Sequence, residues 1–379
     1  MAERYILLMP ARFQVDERLS GPLVAVAAVA AAFALGAVMI LALGAHPWEG
    51  FTALLDGAFG GQRELADTAT KATPLLLVGT GICISFRAKV INIGGEGQVL
   101  AGALAGTVAA LALGDLPRVV LVPIVLLAGL IGGGTWGAIP GALKAYLGVN
   151  EILSTIMLNI VAAQVVNYML RDPLIDPAEI ERGTRIPQTE RLSTNADLPI
   201  LLGGTRLHLG VVVAVLFAVA AWIFLWRSRV GYRLRAVGSG PDAARYAGIN
   251  VPRMTMLALT ASGAMCGLAG AILVFGSESH RFVTDGSSTG FTGSSGFNGI
   301  VAALFGGLHP LWTIPAAVLF GGLLVGANAM QRAIQIPGSL VIALNGLVVL
   351  FVVASVDVRN RLSRASAKRA VLAAMADSG

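Results

Sequence analysis

Apolar runs broken by short polar stretches set the pattern of this chain. Ten windows read as spans: 22–45, 72–86, 98–114, 119–140, 152–170, 209–226, 254–276, 297–308, 311–330 and 338–356. Each is judged against the roughly 20 apolar residues a helix needs to cross a bilayer. The second and eighth are short, so the pattern admits nine spans, or an eighth that crosses half the layer. A stretch with charges of both signs, Glu3 to Arg18, precedes the first run. That run reads as a retained anchor rather than a cleavable signal. The pattern predicts an all-α polytopic membrane protein of about ten transmembrane helices. It divides the chain into an N-terminal segment 1–21, a membrane domain 22–356 with a basic loop at 227–253, and a basic tail 357–379.

Composition agrees. Of 379 residues, 56% are hydrophobic and 13% charged, and the mean hydropathy is +0.77. Soluble domains carry about twice that charged fraction. The net charge of +6 does not indicate nucleic acid, because the basic residues sit in short loops between apolar runs. With ten spans, 17 Lys and Arg fall on the side of the termini and 10 on the other, which predicts that both termini are cytoplasmic. Forty-seven glycines favour close helix packing. Small residues four apart, Gly102 with Gly106, Gly129 with Gly133 and Gly137, and Gly322 with Gly326, mark expected contacts. Cys83 and Cys266 fall in apolar runs and read as small hydrophobes.

The class of function follows partly from what is missing. The apolar cores hold no Asp, Glu, Lys, Arg or His, whereas an ion-coupled carrier usually places such a group within the membrane. None of the four lysines follows a glycine, so there is no G-x-x-x-x-G-K-[ST] loop for ATP. If transport is energised, a partner supplies the energy. Loop 227–253 offers that partner a place to dock: Ser239 and Pro241 signal a helix start, "DAARYA" a short helix, and Gly248 its stop. Tyr246 and Ile249 would be apolar anchors, with Arg245 and Asp242 as rim contacts. The plain alternative is a basic connector with one helical turn.

Polar groups within apolar sequence are the other candidates. In "FRAKVINIGGEGQVLAGALAG", Arg87 and Lys89 hold the inner end of the second span, and Asn92, Gly94 and Gly95 let the chain turn or enter the membrane unwound. Glu96 and Gln98 then face a cavity; equally, Glu96 is a first-turn acid favoured by the helix dipole. Thr155 and Asn159 share a helix face, and serve either as bonds between helices or as uncharged path contacts for a hydroxyl-rich solute. "GSSGFNGIVAALFGG", with Asn298, echoes "VINIGGEGQVLAGALAG" five spans earlier, read either as an inverted repeat or as two ordinary Gly-rich helix starts. Segments 171–206 and 277–296 read as solvated loops or as a platform for a binding protein. His280 reads as a surface residue rather than a metal ligand. No metal site and no cofactor is expected, and no paired acids or nucleophile and base suggest an enzyme.

Four stretches in order, "KATPLLLVGTGICISFRAKVINIGGEGQVLAGALAG", "GVNEILSTIMLNIVAAQVVNYML", "GYRLRAVGSGPDAARYAGINVPRM" and "GFNGIVAALFGGLHP", resemble the permease subunits of bacterial ABC importers for nucleosides and simple sugars. These belong to the branched-chain amino acid and ribose type superfamily. The likeness covers nearly all of 60–356. It implies a type II importer-like permease of about ten helices with inverted repeats, in the bacterial inner membrane. It further implies a second permease, identical or not, a duplicated ATPase that binds the ATP, a binding protein, and a nucleoside or sugar as cargo. The ATPase would engage Pro241, Asp242, Arg245, Tyr246, Gly248 and Ile249. The path would involve Asn92, Glu96, Gln98, Thr155, Asn159 and Asn298. One departure is Gly95, where relatives often carry Val or Ala. Other readings stay open: a permease for branched-chain amino acids, or a secondary carrier or channel working without partners.

Overall fold

The computed structural model describes residues 17–42, 44–277 and 279–337, and a few isolated positions between 343 and 354. The expected tenth span at 338–356 therefore lies almost wholly outside the described residues, as do the basic tail and most of the N-terminal segment. Two compact units emerge, 1–50 with 334–379, and 51–333. Of the first, the described part is mainly helix α1, Glu17–Ala42. All the candidate site residues read from the sequence fall in the second.

The remaining helices run in order α2 (Pro47–Phe59), α3 (Gln62–Arg87), α4 (Gly95–Ala112), α5 (Arg118–Leu147), α6 (Glu151–Arg171), the single turn α7 (Pro177–Glu181), α8 (Gly210–Arg227), α9 (Arg229–Ser239), α10 (Pro241–Tyr246), α11 (Val251–Phe275), α12 (Ser295–Phe305) and α13 (Pro310–Ile334). Among the described residues, six are long and apolar enough to cross a membrane: α3, α5, α6, α8, α11 and α13. That is fewer than the ten spans read from the pattern. The difference lies in α4, whose polar start lowers its hydropathy, in α12, which is half-length, and in the two terminal spans.

Local chemistry fixes several boundaries. Asn150 accepts from the amides of Ile152 and Leu153 at 2.9 and 3.4 Å, starting α6, and Asn250 accepts from Arg253 at 3.0 Å, starting α11. Such caps supply acceptors to amides that lack a partner in the first helical turn. The second span is longer than the window 72–86. The helix α3 begins ten residues earlier because its polar first turns find partners within the chain, Thr68 donating to the Ala58 carbonyl at 2.8 Å and Thr70 to that of Arg206 at 3.1 Å.

At the centre α4, α5 and α11 pack backbone to backbone. A methyl group on Gly267 would come within 2.2 Å of the Gly129 carbonyl, and one on Gly133 within 2.3 Å of the Gly263 carbonyl. Gly102 lies against Gly267 in the same way. The spacing of four thus marks real contacts, with Gly263 and Gly267 as the partners on α11. Farther along, Gly322 and Gly326 of α13 admit Phe59 and Leu54 of α2.

One end of the bundle carries a folded cap instead of solvated loops. Segments 176–192 and 280–284 zip together: the Thr189 amide donates to the Phe282 carbonyl at 3.0 Å, that of Leu192 to His280 at 2.8 Å, and that of Thr284 to Pro187 at 3.1 Å. Phe282 is fully buried beneath them, edge-on to Phe291. Arg281 bridges the two segments, donating to Asp176 and to the Thr189 carbonyl. His280, expected at the surface, pairs with Asp197 at 2.8 Å and is half-buried. The opposite end, called here the basic end, holds Arg87, the α9–α10 loop and the α12–α13 turn.

Two outcomes follow. Replacing Gly267 by Ala forces α5 and α11 apart, an overpacking cost of about 1–3 kcal/mol. A melt of the purified protein should shift down by several degrees, and an unchanged melting temperature would contradict this packing. The hydrogen bond from Arg281, with that from the Ala178 amide, holds the Asp176 carboxyl below its usual range. A carboxylate depressed in the folded state stabilises above its ordinary pKa of about 3.9, and that contribution vanishes as pH falls through the folded value. Amides of 176–192 and 280–284 should therefore lose protection as the pH falls below about 4 in the wild type. The Arg281→Met variant should be less protected at neutral pH and lose less on acidification. Equal pH profiles in the two proteins would refute the bridge.

Candidate functional site

After α3 ends at Arg87, the chain turns back into the bundle. Asn92 is completely buried and donates to the Ser262 hydroxyl at 2.9 Å; the carbonyl of the same Ser262 faces Gly81, well before the end of α3. Backbone unwound at this depth has no water to bond with, so the protein must satisfy it. It does so with three amides. Asn92 and Gln98 form a reciprocal pair, Nδ2 to Oε1 at 2.9 Å and Nε2 to Oδ1 at 3.2 Å, while Asn92 Oδ1 also accepts from the Gly94 amide at 2.9 Å. From α6, Asn159 accepts from the Gly97 amide at 2.8 Å and donates to the Ile93 carbonyl at 3.0 Å. Thr155 Oγ1 accepts from the Ile93 amide at 3.4 Å and donates to the Glu151 carbonyl at 2.6 Å. Asn92, Gln98, Thr155 and Asn159 are thus assembled into one buried network whose bonds are all made within the chain.

Helix α4 starts where this turn ends, and the start of α12 faces it. Gly95 and Gly296 touch, a methyl group on Gly95 lying 3.2 Å from the Gly296 carbonyl. From there α4 runs to the cap, with Gly114 beside Ser193, and α12 runs to the basic end, where Arg87 meets Leu308. The two segments of the sequence echo therefore meet start to start and diverge. Two positive dipole ends facing each other repel. The fully buried Glu96 carboxylate lies between them, Oε1 accepting from the Phe297 amide at 3.1 Å. Ser294 begins α12 with φ +60 and gives no side-chain cap, so Glu96 caps α12 from across the interface. Glu96 thus stands in the first turn of α4, fully buried. Its Oε2 has no partner in hydrogen-bonding geometry, with the Thr292 hydroxyl the neighbour beside it. On α12, Phe297 is 40% exposed and Asn298 half-buried.

At the basic end, loop 227–253 is built more firmly than the sequence suggested. Ser228 caps α9 by accepting from the Gly231 amide at 2.9 Å. Leu234 and Val237, one turn apart, are buried on α9, Leu234 packing with Ile84, Leu225 and Leu259 of three spans. A methyl group on Gly238 would meet the Arg87 carbonyl at 2.1 Å. The expected helix start at Ser239 is corrected: this residue closes α9, its hydroxyl donating to the Arg235 carbonyl at 3.0 Å, and the extended Gly240 precedes α10. The stop is where the pattern put it, at Gly248 with φ +77. Of α10 only Ala244 is buried; Pro241, Asp242, Arg245 and Gly248 are exposed, Ile249 half-buried, and Tyr246 is 94% exposed. Arg245 pairs with Asp242 at 3.5 Å across open solvent, an exposed pair worth little to stability.

A cluster the sequence did not reveal ties this loop to the spans. Arg87 and Arg235 place their guanidinium carbons 5.1 and 5.8 Å from the Trp226 ring centre, and His309 packs on the same ring at 4.8 Å. Arg87 also donates to the Leu308 carbonyl at 3.1 Å. Arg87 is thus more than a membrane-surface anchor: it joins α3, α8, α9 and the turn between α12 and α13. Nothing in residue spacing signals this, since the partners come from four separate stretches.

Comparison with known proteins agrees with this architecture. The family described as Branched-chain amino acid transport system / permease component matches residues 65–353. The guanosine ABC transporter permease protein of Bacillus subtilis (strain 168) is 36% identical over 348 residues, 90% of this chain and 96% of its own length. The nucleoside ABC transporter permease protein of Lactococcus lactis subsp. cremoris is 31% identical over 92% of this chain and 95% of its own. The glucose ABC transporter permease protein of Haloferax volcanii is 33% identical over 86% of each. The matched region takes in the buried turn, both opposed helix starts, the cap and the basic loop, and the chain belongs to the branched-chain amino acid transport system permease component family.

Proposed function

We propose that this chain is the membrane-spanning permease of an ATP-driven importer that takes up nucleosides or chemically similar sugars handed over by a binding protein. The observation that carries the reading is likeness along nearly the whole chain to permeases named for guanosine, nucleosides and glucose. All are neutral, hydroxyl-rich solutes. The family description names branched-chain amino acids instead, and the bundle interior argues against them. Among the described residues of the spans, Glu96 is the one charged group that is fully buried, whereas a zwitterion needs partners for both charges in a low-dielectric path.

In this reading the basic end faces the cytoplasm, both termini lie there too, and the cap faces outward to the binding protein. A cytoplasmic ATPase receives α10, with Tyr246 as the anchor, Ile249 beside it and Arg245 and Asp242 at the rim. Its push travels through α9, which touches Arg87 through Gly238 and Trp226 through Arg235. The push thus reaches the turn into the bundle and the α12–α13 connection together. A second permease completes the pathway, which we place along Asn298 and the opposed helix starts at Glu96. Asn92, Gln98, Thr155 and Asn159 then brace that pathway by fixing the start of α4. Alternating access is the rocking of α12 and α4 about their meeting point.

The test is uptake of labelled guanosine, glucose and leucine into vesicles holding the reconstituted transporter, with ATP and the binding protein. Guanosine or glucose should accumulate and leucine should not. Tyr246→Ala should cut uptake at least about tenfold, the loss of one anchor of 2 kcal/mol or more. The chain should still insert and melt normally. Leucine accumulation would transfer the reading to amino acids, and normal uptake by the Tyr246 variant would refute docking at α10.

A further inference from the structure

Helix α8 has two unlike faces. Ala214, Ala218, Ala221 and Leu225 are buried against the bundle, while Val212, Leu216, Ala220 and Ile223, three or four residues apart, form an exposed stripe down the opposite side. The larger three expose 42, 61 and 48% of their surface. A purely aliphatic stripe on a helix long and apolar enough to cross a membrane is a face for acyl chains. The next residue in the same register is Arg227, also exposed. It stands where the stripe ends, at the level of the lipid head groups.

The chain turns there, at Ser228. Its backbone is extended, and its hydroxyl donates to the Phe224 carbonyl at 2.6 Å, closing α8, and accepts from the Gly231 amide at 2.9 Å, opening α9. Gly231 lets α9 fold against the last turn of α8, since a methyl group on it would lie 2.0 Å from the Phe224 carbonyl. Leu234, Val237 and Gly238 are the buried face of α9. Arg229, Tyr232 and Arg233 lie on its other side and are exposed, Tyr232 by 62%. Arg227, Arg229 and Arg233 thus project from one elbow whose bend is fixed by the backbone.

Nothing in the chain balances their charge. No acid occurs from Arg227 to Pro241, and among the described residues no carboxylate pairs with any of the three. Other exposed arginines do find partners, Arg182 with Glu179, Arg245 with Asp242 and Arg171 with Asn167. Three free guanidinium groups present planar forks that match phosphate oxygens, and the amphipathic ring of a tyrosine beside them suits a membrane surface. An acidic protein surface would meet the arginines but has no use for the aliphatic stripe that leads to Arg227. A phospholipid meets both. Leu216 lies about 16 Å from Arg227 along the helix at 1.5 Å per residue, and one hydrocarbon leaflet is about 15 Å deep. We propose that the elbow between α8 and α9 binds the phosphate of an anionic phospholipid whose acyl chains lie along Ile223, Ala220 and Leu216. The proposal rests neither on the transported solute nor on which end of the bundle faces the cytoplasm.

The probe is phosphatidylglycerol. Full-length protein, purified with the subunits that accompany it, is reconstituted in bilayers of equal parts phosphatidylcholine and phosphatidylglycerol, released into detergent, and its retained lipid counted by native mass spectrometry. Phosphatidylglycerol should be retained at least about fivefold over phosphatidylcholine, the effect of roughly one interfacial cation on an anionic lipid. The variant Arg227→Gln/Arg229→Gln/Arg233→Gln should lower that preference below about twofold. Arg182→Gln/Arg185→Gln/Arg191→Gln, which removes three exposed charges at the cap, should leave it unchanged. Equal retention of the two lipids by the wild type overturns the proposal, a result that needs no variant to fold. Equal loss in the two triple variants also overturns it, because the preference would then follow net charge rather than the elbow. Complete displacement of the lipid by millimolar inorganic phosphate would overturn it in favour of a free anion. If the elbow variant keeps its phosphatidylglycerol but parts from an ATPase subunit during purification, the arginines meet an acidic protein surface and the lipid is excluded.

Discussion

Two helices begin face to face in the interior of this membrane protein, and a single carboxylate makes that arrangement tolerable. The first amides of a helix have no partners within it, and its dipole makes the start positive. Opposing two such starts in water costs little. In a bundle surrounded by lipid, every amide left without a partner costs about 1–3 kcal/mol, and like dipole ends repel in a low dielectric. Glu96 answers the first of these for α12, accepting from the Phe297 amide and placing its carboxyl group between the ends. Asn92, Gln98 and Asn159 answer the same demand for the turn before α4. The contact of Gly95 with Gly296 follows, because the carboxylate reaches across only if the backbones approach without side chains between them.

Once α4 and α12 are fixed at a shared point and run to opposite ends, the remaining helices have limited choices. The α4 helix takes its place against α5 and α11 through glycine contacts that leave no room for a methyl group. The short α12 lies beside α3, with Val78 against Gly299. At the basic end the Trp226 cluster gathers the ends of α3 and α8, the α9 helix and the α12–α13 turn. A displacement of α10 has a short, densely packed route to both opposed helices, and the rigid attachment of α9 leaves little slack in it.

The sequence made the helical class, most span positions and the glycine seams legible, because apolar length and spacing of four are local signals. It located the loop that presents Tyr246 for the same reason: proline, a short helix-forming run and Gly248 lie next to one another. What it did not disclose depends on distant partners. The early start of α3 is hidden in polar residues, among them Thr68 and Thr70, that look like loop until their carbonyl acceptors are known. The α9 helix reads as a basic connector because only Leu234 and Val237 carry its buried face. The cap is held by pairs such as Thr189 with Phe282 and Asp176 with Arg281, about 90 to 105 residues apart, which have no period to detect. Asn92 and Asn159 were visible as polar residues in apolar surroundings, but whether they bond to nearby groups of the protein or to a solute is a question of geometry.

The most direct measurement is amide hydrogen exchange in the Glu96→Ala variant, reconstituted in lipid and compared with the wild type. The account predicts that amides 296–298 exchange at least ten times faster in the variant, while those of α5 and α11 around Gly133 and Gly267 change little. Unaltered exchange at 296–298 would contradict it, because the start of α12 would then be held by something other than the Glu96 carboxylate.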